Sequence, residues 1–239
     1  MKKDFKLGKN DALVIVDVQR DFCPGGALPV PAGDQVVPVL NDYIKMFKAA
    51  NAGIFATRDW HPPNHMSFKV YGGPWPPHCI QNSEGAQFHP DLKLPDDTSI
   101  ISKAMDPSKE SYSGFDGTML SDELKKGGVT RVFVGGLATD YCVKNTVLDA
   151  IERGFETVLL LDATRGINVK PGDVEKAIDE MVAEGAEKVT LADFPESPEI
   201  PQEEPVAEKM EEKPLTKAEK KKKARLRSRG PYRKARIER

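Results

Sequence analysis

The chain has 239 residues, and 35 lysines and arginines against 37 aspartates and glutamates give it a net charge of −2. No apolar run approaches the roughly 20 residues that span a bilayer, and no apolar stretch follows the N-terminal lysines, which excludes a secretory signal. Three widely spaced cysteines argue against a disulfide framework, so we expect a cytoplasmic protein with no membrane span.

Strands and helices alternate along the first 194 residues. Apolar runs predict strands at 12–18, 53–59, 99–103, 131–136, 156–162 and 188–193. Apolar residues at helical spacing, ended by glycines, predict helices at 34–50, 118–126, 140–153 and 172–184. This alternation indicates an α/β domain with a mostly parallel sheet that helices cover on both faces.

Polar side chains lie at or just beyond the carboxyl ends of the predicted strands. Asp17 ends the first strand, Asp59 the second and Lys103 the third, and Cys142 lies in the first turn of the helix that follows the fourth. Ligands of open α/β sheets bind outside these strand ends. An aspartate, a lysine and a cysteine at one such edge have the composition of an activated-thiol site.

Cys142 is the candidate nucleophile of this group. If Thr139 caps the helix, Cys142 occupies its third position, where the helix dipole and the free N–H groups favour a thiolate. The alternative is a small buried hydrophobic residue. Asp17 follows an apolar run, so we expect a half-buried carboxylate whose raised pKa makes it a usable base, with a turn aspartate as the alternative. Lys103 either holds these two groups or is a solvated lysine.

A second cluster lies where a long segment rich in proline, glycine and histidine begins. Asp59 and His61 alternate along the chain, and His78 can return from the proline-rich loop to join them. Two histidines and one carboxylate are typical of a catalytic site for Zn²⁺ or Fe²⁺. The alternative is that the histidines pack in a stiff loop, and the sequence leaves the role of His65 open.

Two aromatic residues flank these clusters in the sequence. Phe22 and Trp75 are candidates to sandwich a flat ring, although ordinary loop packing is the alternative. Cys23 and Cys79 lie beside prolines in predicted loops, and we expect them to be structural.

The motifs together resemble one family. The sequence is similar to the nicotinamidases, also called pyrazinamidases, of the isochorismatase-like cysteine hydrolase superfamily over roughly residues 10–194. The resemblance rests on DVQRDFCPGGALPV (17–30), TRDWHPPNHMSF (57–68), GGPWPPHCI (72–80), FHPDL (88–92), ISKAMD (101–106), YSGFDGT (112–118) and GLATDYCV (136–143).

The resemblance implies a fold and a set of catalytic residues. The fold is a three-layer αβα arrangement with a mainly parallel six-stranded sheet. The implied catalytic triad is Cys142, Asp17 and Lys103. A cis peptide is implied before Ala138, whose N–H would form an oxyanion hole with that of Cys142.

The resemblance also implies the ligands of the site. A divalent metal, usually zinc with iron or manganese as alternatives, would be bound by Asp59, His61 and His78. Phe22 and Trp75 would lie against a pyridine ring.

The activity that this resemblance implies is metal-dependent hydrolysis of nicotinamide to nicotinate and ammonia through a thioester. This is a step of NAD salvage, and the implied substrates include pyrazinamide. Isochorismatases lack the cysteine and the metal cluster, and carbamoyl and ureidoacrylate-type amidases usually lack the metal cluster. Two alternatives stay open: another amidase of the superfamily, or a polyanion-tethered protein that uses the amidase fold as a module. The oligomeric state, including a homo-oligomer, is left open.

The net charge hides three unlike parts. Residues 1–194, the expected hydrolase domain, carry −7, residues 195–213 carry −5, and residues 214–239 carry +10. The middle part contains four prolines and seven glutamates and is predicted to be a disordered acidic linker. The last part has 12 basic residues in 26, a density that binds RNA or other polyanions through counterion release. The alternatives are a solvated tail without a partner and a tail that folds back on the acidic linker.

Overall fold

The computed structural model describes residues 5–195. Within them lies one six-stranded sheet, in the order β3-β2-β1-β4-β5-β6 with every neighbouring pair parallel. Its strands are β1 (Asp11–Val16), β2 (Gly53–Asp59), β3 (Ser99–Lys103), β4 (Arg131–Leu137), β5 (Glu156–Arg165) and β6 (Glu187–Val189). The predicted parallel six-stranded sheet is confirmed.

Helices cover both faces of this sheet. They are α1 (Val36–Ala49), α2 (Leu120–Lys126), α3 (Lys144–Glu152) and α4 (Asp173–Ala183). Buried side chains of α1 such as Leu40 and Phe47 pack in one apolar cluster. Those of the other three helices, including Leu120, Val147 and Met181, pack in a second cluster. The expected three-layer αβα architecture is confirmed.

The central strand β1 explains why its sequence is apolar without alternation. All six of its residues are buried. Leu13 and Ile15 point into the cluster beneath α1, whereas Val14 and Val16 point into the cluster on the opposite face. A strand covered by helices on both sides must be apolar on both sides.

The strand order places the functional edge of the sheet. From β1 the chain moves outward through β2 to β3, and it then returns to form β4 on the other side of β1. The carboxyl ends of β1 and β4 therefore flank the point where the winding direction reverses. A crevice opens at such points in α/β sheets, and ligands bind there.

Element ends differ from the predictions where side chains impose a local structure. The first strand ends at Val16 because Asp17 has a left-handed backbone, with a φ of 49°. The fifth strand continues to Arg165. The last predicted strand ends at Val189, since Thr190 and Asp193 form a capping box that begins a 3-10 turn.

Part of the sequence lies outside the described residues. The predicted acidic linker beyond residue 195 and the basic segment 214–239 belong to it, so both assignments stay predictions. Between residues 5 and 195, no helix combines the length and apolar character needed to cross a membrane.

Gly136 is expected to be essential for the close packing of β4 against β1. It has a φ of 122°, and a Cβ atom there would lie 2.1 Å from the Val16 carbonyl oxygen. Gly136→Ala should lower the free energy of unfolding by about 3 kcal/mol or more, because it adds a backbone collision to an unfavourable φ. Gly154→Ala is the matched control, since Gly154 also has a positive φ but open space around it. It should cost about 1 kcal/mol. Equal losses in urea unfolding would contradict the steric argument.

Candidate active site

The ammonium group of Lys103 lies at the centre of the site. Its Nζ atom lies 2.5 Å from Asp59 Oδ1, 3.0 Å from Asp17 Oδ2 and 3.4 Å from Cys142 Sγ. It also donates a hydrogen bond to the Ser111 carbonyl at 3.3 Å. Lys103 is fully buried at the end of β3, so its charge depends on these acceptors.

Asp17 is held at the end of β1 by the neighbouring strand. Thr57 Oγ1 donates a 2.6 Å hydrogen bond to Asp17 Oδ1, and the Asp17 N–H donates to the Thr57 carbonyl. The carboxylate is fully buried rather than half-buried, which corrects the sequence-based expectation. The left-handed backbone of Asp17 and the Thr57 contacts aim the second carboxylate oxygen at Lys103.

Asp59 divides its two oxygens between the lysine and two imidazoles. Oδ1 contacts Lys103, whereas Oδ2 lies 3.6 Å from His61 Nε2 and 4.0 Å from His78 Nε2. Gln19 fixes the backbone of Asp59 through reciprocal 2.8 Å hydrogen bonds. One atom from each of Asp59, His61 and His78 lies within 4.8 Å of the others, as a single metal ion requires.

The histidines have the chemistry of a metal site. Neither ring nitrogen of buried His61 has a hydrogen-bond partner within residues 5–195. Nδ1 of His78 bonds to the Pro76 carbonyl, which leaves its Nε2 turned toward Asp59. Burial lowers the pKa of His78, and neutral imidazole is the form that binds metals. These residues therefore fit a divalent cation.

His65 does not join this group. Its Nδ1 bonds to Ser67 Oγ at 2.8 Å and its Nε2 to the Lys109 carbonyl at 3.0 Å, so both ring nitrogens are occupied. Its ring packs against His61 with centroids 4.3 Å apart. His65 therefore supports the orientation of His61 and is not a candidate metal ligand. The sequence alone had left its role open.

A second group of residues has the spacing of a metal site. Its members are Asp17, Asp59 and Cys142, whose ligand atoms also lie within 4.8 Å of one another. The Lys103 ammonium contacts all three of these residues. A cation is thus already present between them, and this group does not offer a second metal site.

Cys142 lies in a turn that differs from the predicted helix start. Residues Thr139–Val143 form a π-helical turn, and α3 begins only at Lys144. Thr139 does not cap this turn; its hydroxyl bonds to Thr164 Oγ1 at 2.7 Å. The expectation of a Thr139 cap with Cys142 at the third helical position is therefore wrong. A cis peptide joins Leu137 to Ala138 directly before the turn.

The pKa shifts of the cluster follow from burial and from the shared lysine. Burial opposes the charge of Lys103, but Asp17 and Asp59 raise its pKa well above the usual range. Burial also opposes the charge of Asp59, but Lys103 and the two histidines hold the pKa of Asp59 below its usual range. Lys103 and Asp59 therefore form a stable ion pair.

Cys142 and its neighbour Asp17 have raised pKa values. Burial raises the pKa of the Cys142 thiol well above its usual range, and Lys103 offsets this only in part. Burial likewise raises the pKa of Asp17. The resting site therefore holds a thiol rather than the thiolate expected from a helix dipole, so Cys142 would act as a nucleophile only with a base close by.

A small pocket opens over Cys142. Its wall consists of Phe22, Leu28, Asp59, His61, Trp75, His78, Glu110, Tyr112, Ala138, Tyr141, Cys142 and Ile167. Phe22 packs beside His78, with ring centroids 5.5 Å apart, and Trp75 meets Tyr141 edge-on at 5.2 Å. All the residues proposed from the sequence for catalysis, metal binding and ring contact thus lie in or directly beneath this pocket.

Several wall residues were not found from the sequence. Tyr112, Tyr141, Glu110 and Ile167 belong to loops or turns without periodicity. The sequence offered one signal for Tyr141, which is its position directly before Cys142. Tyr112 joins the wall through the hydrogen bond that it accepts from Trp75 Nε1 at 3.1 Å. Cys23 and Cys79 are buried, as expected of structural cysteines.

Comparisons with known proteins assign the chain to a family. The isochorismatase domain family matches residues 11–193. A nicotinamidase of Escherichia coli (strain K12) is 42% identical over 207 residues, which cover 78% of this chain and 97% of that protein.

Solved structures show the same relationship. The pyrazinamidase of Pyrococcus horikoshii in complex with zinc is 55% identical with a TM-score of 0.73, and the match covers 76% of this chain and 99% of that one. PnC1 from L. infantum in complex with nicotinate is 35% identical with a TM-score of 0.75, covering 80% and 98%. The chain therefore belongs to the isochorismatase-like hydrolases, in the group that contains the nicotinamidases.

Proposed function

We propose that this protein is a metal-dependent nicotinamidase that hydrolyses nicotinamide to nicotinate and ammonia with Cys142 as its nucleophile. The observation that carries the proposal is that one buried ammonium, Lys103 Nζ, contacts Asp17, Asp59 and Cys142 together. The similarity to nicotinamidases and to a zinc-bound pyrazinamidase supports the substrate. The proposal includes the same reaction on pyrazinamide, which is a related ring carboxamide. It also includes a role in NAD salvage.

The first step is proton transfer from the thiol. Asp17 accepts the Cys142 proton while the sulfur attacks the carboxamide carbon, because a carboxylate with a raised pKa is well matched to a thiol. The two groups lie within 4.8 Å. Lys103 holds Asp17 beside the sulfur and stabilises the negative charge that develops there.

The second step breaks the C–N bond. The carbonyl oxygen becomes an oxyanion, which the backbone N–H groups of Ala138 and Cys142 would bind. Asp17 returns the proton to the departing nitrogen, so ammonia leaves and a thioester on Cys142 remains.

The third step restores the enzyme. Asp17 accepts a proton from a water molecule while the water oxygen attacks the thioester carbon. The C–S bond breaks to release nicotinic acid, the Asp17 proton passes to the Cys142 sulfur, and the acid loses its remaining proton to solvent or ammonia to become nicotinate. The acid and base roles of Asp17 thus alternate without net change.

The metal site and the aromatic wall would position the substrate. Asp59, His61 and His78 would hold the divalent ion, with zinc favoured and iron or manganese as alternatives, and the ion would supply a Lewis-acid contact for the pyridine nitrogen. Phe22 and Trp75 would confine the ring from two sides. A ring oriented in this way places its carboxamide over Cys142.

The proposed nucleophile can be tested against a second buried cysteine. Cys142→Ala should reduce ammonia release from nicotinamide by at least about 10³-fold, because it removes the thiol that contacts Lys103. Cys23→Ala is the matched control, since Cys23 is also buried but has no place in the Lys103 cluster. It should retain turnover. Turnover by metal-supplied Cys142→Ala equal to that of the wild type would contradict the proposal.

The proposed metal ligands can be tested by elemental analysis. His61→Ala and His78→Ala, dialysed against zinc and then against metal-free buffer, should fall from roughly one zinc per chain to a small fraction of that value. His89→Ala is the control, because His89 lies outside the candidate cluster. Circular dichroism should show the same fold in all three variants. A full complement of zinc in His61→Ala would contradict this assignment, and full turnover by metal-free wild type would contradict the role of the metal.

The charge of residues 214–239 supports a second proposal, that this segment tethers the domain to a polyanion such as RNA. The segment lies outside the described residues, so its sequence alone carries the argument. Twelve basic residues in 26 can neutralise several phosphates at once.

Truncation after Ser197 should abolish salt-dependent binding to a single-stranded RNA homopolymer, measured by fluorescence anisotropy. In the full chain, replacement of Lys220, Lys221, Lys222 and Lys223 by glutamine should lower the slope of log K against log salt by up to about 3, because each phosphate contact contributes about 0.7. Equal RNA binding by the truncated and full-length proteins would contradict the tether.

A further inference from the structure

Glu110 is a pocket residue that the proposed mechanism does not use. It is one of the residues that line the wall that also contains Asp59, His61 and Cys142. It is half-buried, and its Oε1 atom accepts a hydrogen bond from the Ser111 N–H at 3.1 Å. The pocket wall therefore includes an acidic residue that belongs neither to the Lys103 cluster nor to the candidate metal ligands.

The charge of Glu110 acts on Tyr112, an aromatic residue of the pocket wall. Burial raises the pKa of Tyr112 to about 12, and the Glu110 charge adds to that shift. Tyr112 in turn accepts the hydrogen bond from Trp75. A negative charge is thus present beside the residues that would enclose the substrate ring.

The other charges of the site determine what effect a negative charge at Glu110 has on product binding. The Lys103 ammonium is paired with the carboxylates of Asp17 and Asp59, so these three groups together carry one negative charge. A divalent cation at Asp59, His61 and His78 would add two positive charges. The proposed reaction converts a neutral carboxamide into an anionic carboxylate, so a site with excess positive charge would retain its product.

We propose that Glu110 determines the discrimination between neutral amide and anionic acid: its carboxylate weakens the binding of nicotinate and leaves the binding of nicotinamide nearly unchanged. This inference rests on the proposed function. Two unit charges about 12 Å apart, at an effective dielectric constant of about 20, interact strongly enough to change an equilibrium constant about tenfold. A wall residue of a pocket for one small ring lies within such a distance of its ligand.

The test measures binding rather than turnover. Nicotinate and nicotinamide are titrated by calorimetry into the zinc-loaded, full-length Cys142→Ala protein, which cannot consume the amide. Adding Glu110→Gln should tighten nicotinate binding about tenfold and change nicotinamide binding less than twofold. Adding Glu110→Asp instead should keep the original ratio of the two affinities.

A control variant separates the local charge from net charge. Asp122→Asn removes one exposed carboxylate of α2, outside the pocket wall, and should leave both affinities unchanged. If both ligands bind and Glu110→Gln leaves their affinity ratio unchanged, the inference is wrong while the proposed function stands. If neither ligand binds the zinc-loaded protein, the proposed function fails and the inference fails with it.

Discussion

The buried ammonium of Lys103 is the interaction on which the candidate site depends. A lysine with no exposed surface is stable only when opposite charges surround it, and Asp17 and Asp59 supply them. This requirement joins two kinds of chemistry. Asp59 turns one oxygen to Lys103 and the other to His61, so the candidate metal ligands and the candidate nucleophile Cys142 share one network of charges.

The sheet order produces this network directly. Four adjacent strands, β3-β2-β1-β4, lead into Lys103, Asp59, Asp17 and Cys142 in that order across the sheet. Neighbouring strands of a sheet lie about 4.8 Å apart, so residues at their ends are brought within contact range without long loops. The side chains that would react are therefore held by rigid elements rather than by the mobile parts of a surface.

The common edge at which parallel strands end explains which features could be predicted from the sequence. Apolar runs give the strands, and polar residues just beyond them give Asp17, Asp59 and Lys103, because parallel strands end at one edge. The start of the helix that follows β4 was predicted wrongly. Nothing in the local sequence distinguishes a π-turn at Thr139–Val143 from a capped α-helix. The loop that contains Glu110 and Tyr112 has no periodicity, and its contribution to the pocket depends on tertiary packing.

The turn that carries Cys142 is also tied to the pocket wall. Asp140 accepts hydrogen bonds from the N–H groups of Ile167 and Asn168, at 2.9 and 2.8 Å. Ile167 lines the pocket, so one carboxylate two residues before Cys142 connects the turn that carries Cys142 to another residue of the pocket wall. Asn168 has a left-handed backbone and bonds through its side chain to the Val174 N–H, which fixes the loop against α4. The turn that carries the thiol and part of the surface that would face its substrate are consequently joined by one set of hydrogen bonds.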